Sequence, residues 1–219
     1  MNFDQERREV VATCLKLADR GYLAGTGGNI AYRIDDQHFA VTPSATDYYA
    51  MSAEDICVLR LDDLVRVEGD RAPSVEHKLH AHVLRARKDC LASIHTHQPV
   101  ASAYTLLGRA LEIDDPRHQK LLGSSSAFVG YAPSGTRWLA SKLQKALRPE
   151  IDTYLMRNHG VVCCGATFGE TVAKVEALEQ ACTAYFRHAI DNRAVSENDL
   201  SLLEALQLLK NSGVTESVR

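Results

Sequence analysis

Apolar positions recur along the chain with two different periods, and segments of the two kinds alternate. Within residues 4–20 they fall at helical spacing, and Gly21 follows where a left-handed residue commonly ends a helix. Short runs rich in apolar and β-branched residues predict strands between the helices. The predicted strands cover residues 29–34, 39–42, 56–61, 91–97, 128–132, 153–157 and 161–164.

The remaining helices are predicted from their flanking residues as well as from their periodicity. Ser74 is expected to cap a helix that runs to about residue 87, and Pro99 suits the first turn of another. Ser52 and Asp55 form a helix-start pair ahead of the third strand. Further helices are expected at 135–147, 168–190 and 196–210. The alternation predicts an α/β fold, and without repeats or linkers we expect one domain over residues 1–219.

Composition narrows the functional class. Hydrophobic residues make up 45% of the 219 residues and the formal net charge is −3, so no positive field favours nucleic acid or an anionic membrane as partner. No apolar stretch approaches the roughly 20 residues of a membrane span, and the charged N-terminus lacks a signal core. The six cysteines lack CxxC spacing and sit mostly in apolar runs, which predicts buried free thiols and a cytoplasmic location.

A histidine pair at the end of a predicted strand carries the strongest chemical signal. His95 and His97 alternate with Thr96, so their side chains share a face about 6–7 Å apart and can reach one ion. His159, in a tight turn between two apolar strands, is the best third ligand. Three imidazoles leave coordination positions open, as in catalytic rather than structural zinc sites. Two unrelated histidines at a strand end are the alternative.

Glu76 lies at the start of a predicted helix, four residues before His80. A carboxylate in the first helical turn is commonly a favourable dipole interaction and nothing more. The spacing also permits Glu76 and His80 to act as a ligand pair, although we favour a hydrogen-bonded packing role for His80. Four other histidines, at positions 38, 77, 118 and 188, are interpreted as surface or core polar residues.

Five segments together resemble the class II aldolase/adducin family, in its order and spacing, over about residues 5–190. They are residues 25–33, 41–45, 73–80, 95–97 and 157–160. The resemblance implies a three-layer αβα sandwich with a mixed, mostly antiparallel sheet. Beyond the residues that carry the resemblance, the sequence itself predicts a helical tail within residues 196–219. It also implies a homotetramer with active sites at subunit interfaces. A divalent metal, typically Zn²⁺, is implied at His95, His97 and His159; imidazoles also accept Mn²⁺, Co²⁺ or iron.

The family contains sugar-phosphate aldolases, an epimerase, dehydratases, decarboxylases and non-enzymatic adducin heads. Glu76 matches the glutamate of fuculose-phosphate-type aldolases, where the epimerase has aspartate. The implied activity is metal-dependent cleavage of a ketose 1-phosphate into dihydroxyacetone phosphate and an aldehyde, with Glu76 moving the proton. The other family activities on the same zinc site, or an adducin-like module, remain alternatives.

The resemblance places a substrate phosphate against three loops. The implied residues are Gly28, Asn29, Ser44, Ala45 and Ser74. Two departures from the family pattern lie here: Val75 stands where a second serine is common, and Ala45 where glycine is usual. A third departure is that residues 114–120 hold no tyrosine to protonate the leaving aldehyde.

Overall fold

The structure is a computed structural model that describes residues 3–23, 27–191 and 200–211. The strands are β1 (Asn29–Arg33), β2 (His38–Val41), β3 (Cys57–Arg60), β4 (Arg66–Glu68), β5 (Ala92–Thr96), β6 (Ala127–Val129), β7 (Thr153–Met156) and β8 (Gly160–Gly165). The helices are α1 (Asp4–Ala18), α2 (His77–Ala86), α3 (Pro99–Tyr104), α4 (Pro116–Leu122), α5 (Arg137–Ala146), α6 (Phe168–Asp191) and α7 (Leu200–Asn211).

One eight-stranded sheet organises the described residues, in the order β4-β3-β2-β1-β5-β8-β7-β6. All neighbouring strands are antiparallel except β6 and β7, which run parallel. The mixed, mostly antiparallel sheet is therefore confirmed. Strand β5, which carries His95 and leads directly into His97, lies near the middle of the sheet, and all five of its residues are buried.

Successive side chains of a strand point to opposite faces of the sheet. Here the side chains on both faces are apolar. Ile30, Ile94 and Cys163 join a cluster built with α1, α3, α6 and α7. On the other face Val162 and Cys164 pack with residues of α2 and α5, and a third cluster joins β1, β2 and β3 to α2. Helices thus cover both faces, which confirms the αβα sandwich.

The start of α2 differs from the prediction. The expectation that Ser74 caps this helix is wrong, because α2 begins at His77 and Glu76 occupies the N-cap position without a side-chain cap. The Ser74 hydroxyl instead accepts a hydrogen bond from the Glu76 backbone N–H at 3.2 Å. Ser74 therefore shapes the turn that presents Glu76.

Other predicted features compare well with the structure. Helix α1 ends at Ala18, and Gly21 (φ +72°) turns the chain. Ser52 and Asp55 form a capping box, around a short 3₁₀ turn. The predicted final helix is present as α7, while residues 196–199 and 212–219 of the predicted tail lie outside the described part of the chain. All six cysteines are free and buried, as predicted. Among the described helices, none has the length and apolar character needed to cross a bilayer.

Candidate active site

Three imidazoles from two distant stretches of chain meet at one end of the sheet. His95 lies on β5, His97 directly follows that strand, and His159 lies in the turn between β7 and β8. The ring centroids are 4.7, 4.9 and 5.4 Å apart. His95 and His97 are closer than the 6–7 Å expected from an ideal strand, since their rings lean together and their Nε2 atoms are 2.9 Å apart.

The β7–β8 turn is what brings His159 over β5. Asn158 adopts a left-handed conformation (φ +52°), and the His159 N–H donates to the Met156 carbonyl at 3.1 Å. Gly160 follows, at a point where the backbone of β8 lies close to the end of β5. A Cβ at this position would lie 2.5 Å from the Thr96 carbonyl oxygen and 2.6 Å from His97 Cδ2. Only glycine fits here without moving the histidines apart.

His95 has the tautomer that can bind a cation through Nε2. Its Nδ1 lies 2.8 Å from the Val161 carbonyl oxygen, and because a carbonyl can only accept, Nδ1 carries the proton. The Nε2 lone pair therefore faces the other two rings. Burial lowers the pKa of His95 to about 3, and burial likewise lowers the pKa of His97. Neutral imidazoles with inward lone pairs are the donor set that a divalent metal requires.

One potential ligand atom from each of the three histidines lies within 4.8 Å of the others. This spacing suits three nitrogens around a single ion, because Zn–N bonds are about 2.0–2.1 Å long. The group is therefore a candidate metal site.

The Glu76 carboxylate lies beside the imidazoles and is itself surrounded by donors. Its Oε1 accepts from Ser134 Oγ at 2.9 Å and lies 3.1 Å from His159 Nε2. Its Oε2 accepts from Asn29 Nδ2 at 2.9 Å and lies 3.3 Å from His95 Nε2. Burial alone would raise the pKa of Glu76, but the adjacent His159 and His95 rings and the Asn29 amide outweigh it and hold the pKa below its usual range. The carboxylate is therefore ionised.

The three loops predicted to bind phosphate lie side by side, next to this carboxylate. The Ser44 N–H donates to the Ala72 carbonyl at 2.8 Å, and the Ser74 N–H donates to the Thr42 carbonyl at 2.9 Å. These bonds join the loop after β2 to the segment before α2. Asn29, at the start of β1, connects to the same place through its bond to Glu76. The structure thus brings together Gly28, Asn29, Ser44, Ala45 and Ser74.

Two backbone conformations in these loops are unusual. Gly28 has φ +84°, and a Cβ there would lie 2.8 Å from the His95 carbonyl oxygen. Ala45 has φ +49°, in the left-handed region that glycine occupies more readily. The family's glycine preference at Ala45 therefore has a conformational basis. Gly25 and Thr26 of the glycine-rich segment lie outside the described residues.

Two contributors to the site were not foreseen. Ser134, in the loop between β6 and α5, donates to Glu76 across 58 positions of sequence. Tyr48 donates its hydroxyl hydrogen bond to the Gly28 carbonyl at 2.6 Å and so fixes the glycine loop. Neither residue shows a local signal, because each contact joins turns that only the tertiary fold brings together.

His80 is held by hydrogen bonds at both ring nitrogens. Nδ1 lies 2.7 Å from Ser93 Oγ, and Nε2 lies 2.6 Å from Asn29 Oδ1. With both nitrogens engaged, His80 is not available as a metal ligand to pair with Glu76. The hydrogen-bonded role is the one that the structure supports.

A second group of potential ligands comprises Cys90, Asp152 and Cys164; both thiols are buried, Asp152 is half-buried, and Cys164 lies on β8. Arg87 Nη2 and Lys174 Nζ each lie 2.7 Å from the Asp152 carboxylate. Two cations already neutralise this carboxylate, so a metal ion is disfavoured there. The cluster is best explained as an ion-pair network that ties α2 and α6 to the sheet.

Known proteins resemble the chain over most of its length. The profile described as Class II Aldolase and Adducin N-terminal domain matches residues 8–186. An L-fuculose phosphate aldolase of Methanococcus maripaludis is 30% identical over 183 residues, which cover 83% of this chain and 96% of the relative. A 5-deoxy-D-ribulose 1-phosphate aldolase of Bacillus thuringiensis serovar kurstaki is 32% identical over 190 residues, which cover 85% and 87%.

Solved structures agree with the sequence comparison. A structure of L-fuculose 1-phosphate aldolase superposes with a TM-score of 0.79 at 26% identity, covering 94% of this chain and 97% of the other. The αβα fold is thus shared over nearly the whole length of both chains. From its fold and its sequence, the chain belongs to the class II aldolase and adducin N-terminal domain family.

Proposed function

We propose that this protein is a metal-dependent aldolase that cleaves a ketose 1-phosphate into dihydroxyacetone phosphate and an aldehyde. The observation that carries the proposal is an ionised carboxylate, Glu76, within 3.1 and 3.3 Å of two converging imidazoles. Two relatives, with 30% and 32% identity, are an L-fuculose phosphate aldolase and a 5-deoxy-D-ribulose 1-phosphate aldolase. A fuculose-phosphate-like or related deoxy-sugar phosphate is the proposed substrate.

In this proposal His95, His97 and His159 hold the metal, with Zn²⁺ favoured over Mn²⁺ or Co²⁺. The three nitrogens leave coordination positions open for substrate. When bound, the ion supplies Lewis-acid stabilisation of the negative charge that develops on substrate oxygens during bond cleavage. The Nδ1–H of His95, donated to the Val161 carbonyl, fixes the ring so that Nε2 keeps facing the ion.

Glu76 is proposed to move the proton at the carbon next to the ketose carbonyl. In cleavage this carbon gains a proton after the bond to its neighbour breaks, and the hydroxyl of that neighbour loses one as it becomes the aldehyde; in the reverse direction Glu76 takes the proton from the same carbon. Burial beside the imidazoles keeps water from competing with the substrate. Asn29 and Ser134 hold one oxygen each, at 2.9 Å. These two bonds orient the carboxylate before substrate arrives, so less reorganisation is needed during the reaction.

The phosphate of the substrate is proposed to bind Gly28, Asn29, Ser44, Ala45 and Ser74. The Ser44 and Ser74 backbone N–H groups are bonded within the protein, so the hydroxyls of these two serines are the groups proposed to contact the phosphate. The side-chain amide of Asn29 already contacts Glu76 and His80, so Asn29 is better placed to link the phosphate loop to the carboxylate. Val75, at the position where a second serine is common, is 61% exposed and offers no hydroxyl.

The direct test is a cleavage screen over ketose 1-phosphates that measures release of dihydroxyacetone phosphate. We expect the wild-type protein to be active with bound metal and inactive after chelation. Glu76→Gln should retain metal while losing at least ~100-fold in kcat, the lower range for a general acid–base group. Glu150→Gln, on an exposed loop, is the matched control and should keep full activity.

Other family activities predict different results in the same screen. An epimerase converts one sugar phosphate into another without releasing aldehyde, a dehydratase releases water, and a decarboxylase releases carbon dioxide. An adducin-like module holds no stoichiometric metal and converts no substrate. Undiminished turnover of Glu76→Gln would remove Glu76 from the mechanism, whichever substrate is used.

The assembly and location are also part of the proposal. We expect a homotetramer with the active sites at subunit interfaces. Light scattering on the purified protein should then give about four times the chain mass of 24.1 kDa. A monomeric mass would contradict this assembly. A cytoplasmic location is supported by six free, buried cysteines.

A further inference from the structure

A chain of buried hydrogen bonds runs from the sheet to Glu76. Ser93, His80 and Asn29 form it, and none of the three is more than 6% exposed. Ser93 lies on β5 two residues before His95, so both side chains project from the same face. Asn29 pairs with His95 across β1 and β5, which places its side chain on that face as well. Helix α2 lays His80 between Ser93 and Asn29.

The distances leave no break in this chain. Ser93 Oγ lies 2.7 Å from His80 Nδ1, His80 Nε2 lies 2.6 Å from Asn29 Oδ1, and Asn29 Nδ2 lies 2.9 Å from Glu76 Oε2. Every polar atom of His80 therefore has a partner. Such a fully satisfied buried network is rigid and stabilises one arrangement of its members.

The Asn29 side chain fixes the direction of every bond. Its Nδ2 donates to Glu76 Oε2, which leaves Oδ1 facing His80. The carbonyl oxygen Oδ1 only accepts, so His80 must carry its proton on Nε2. His80 Nδ1 is then an acceptor, and the Ser93 hydroxyl donates to it. Burial lowers the pKa of His80 to about 4, so the ring is neutral at pH 7 and holds a single N–H.

We propose that His80 and Ser93 are positioning residues for the reaction: they lock the Asn29 amide so that it holds Oε2 of Glu76. Oε1 then stays directed at Ser134, which is exposed. This inference rests on the proposed function, in which Glu76 moves the proton. Neither residue touches the substrate, and the effect is on the orientation of the carboxylate.

Loss of the hydrogen bond between His80 and Asn29 should lower kcat more than it weakens substrate binding. In His80→Leu, Asn29 Oδ1 has no donor and the amide is free to rotate, so the carboxylate loses its fixed orientation. A misplacement of about 1 Å can cost on the order of 100-fold in rate. We therefore expect kcat to fall ~10–100-fold while KM changes less than ~3-fold, with metal content unchanged.

Two variants separate positioning from general packing. In His80→Gln the side-chain amide places an N–H near the position of Nε2, so most of the activity should return. His82→Leu is the matched control, because His82 is half-buried on the same helix and is not part of this chain of hydrogen bonds. The proposal is overturned if His80→Leu loses no more kcat than His82→Leu, or if His80→Gln is as slow as His80→Leu.

A second readout does not depend on activity. Long-range ¹H–¹⁵N spectra of the histidine-labelled, metal-free protein report the tautomer of each ring, and His80→Gln assigns the His80 signal by its absence. We expect a neutral His80 with the proton on Nε2 at pH 7. A proton on Nδ1 would reverse the chain and refute the proposal. If wild-type protein cleaves no ketose 1-phosphate, the proposed function fails while this spectrum still decides the arrangement around Asn29.

Discussion

Gly160 allows the sharpest test of how the fold assembles the three histidines. It begins β8, directly after His159, and packs against the end of β5. In Gly160→Ala the new methyl group would lie 2.5 Å from the Thr96 carbonyl oxygen, 2.6 Å from His97 Cδ2 and 3.2 Å from His95 Cε1. Two of the three contacts involve the rings proposed to hold the metal.

The size of the effect follows from these distances. Optimal contact between non-bonded carbons is about 3.5–4.0 Å, so β8 must move by about 1 Å or the rings must turn. Overpacking of this kind costs roughly 1–3 kcal/mol of unfolding free energy. Because the strain falls on the imidazoles, we also expect metal affinity to drop by about 10–100-fold, as when groups that orient metal ligands are lost.

Gly169→Ala is the control, because this substitution is expected not to destabilise the protein. Gly169 lies in the first turn of α6, and a methyl group there would meet only Thr167 Oγ1 at 3.9 Å. Alanine is the better helix former, so stability should stay equal or rise by up to about 1 kcal/mol. Urea unfolding with and without chelator, and metal titration, measure both variants. If Gly160→Ala matches wild type in stability and in metal affinity, the proposed packing of β8 against the histidines is wrong.

Three further predictions concern acidity, the carboxylate and backbone strain. Because burial lowers the pKa of His80 to about 4 from 6.5, the unfolded chain takes up a proton that the folded chain does not as pH falls between these values. Metal-free wild type should therefore lose up to about 3 kcal/mol of unfolding free energy across this window relative to His80→Gln. Ser134→Ala removes one donor to Glu76 at an exposed position, and we expect kcat to fall ~3–10-fold with metal content unchanged. Ala45→Gly relieves a left-handed alanine (φ +49°) and should leave stability equal or raise it by about 1 kcal/mol.

For each of these three predictions, one result would contradict the reasoning. Equal pH slopes for wild type and His80→Gln would mean that His80 is not buried as described. A Ser134→Ala protein with wild-type kcat would show that water replaces the hydroxyl without loss. A loss of more than about 1 kcal/mol in Ala45→Gly would place residue 45 outside the left-handed region, since glycine in an ordinary conformation is destabilising.

Periodicity was sufficient to predict most of the fold. The buried strands and long helices carry apolar runs that packing later uses, as in β5 and α6. The two elements that were not predicted lack this signal: β4 is a three-residue edge strand with two exposed residues, and α4 has seven residues, of which only Leu122 is buried. Short exposed elements are fixed by their neighbours and not by their own sequence.

The features of the site also divide into those that the local sequence predicts and those that only the tertiary fold produces. His95 and His97 lie two residues apart at the end of β5, so their spacing alone predicted that they could meet. The contacts that hold Glu76 join it to Asn29 and Ser134, which are 47 and 58 positions away in the chain. No local pattern contains such contacts. The Ser74 cap was assigned wrongly because serine, two residues before the true N-cap, forms a turn hydrogen bond that competes with capping.

Metal binding by the metal-free protein tests the central claim most directly. Calorimetric titration with Zn²⁺ should give one ion per chain for wild type, and His159→Ala should bind at least ~100-fold more weakly while remaining folded. His118→Ala, which alters a histidine far along the chain from the three, should bind like wild type. Equal affinity in wild type and His159→Ala would contradict the proposal that these three imidazoles hold one metal ion.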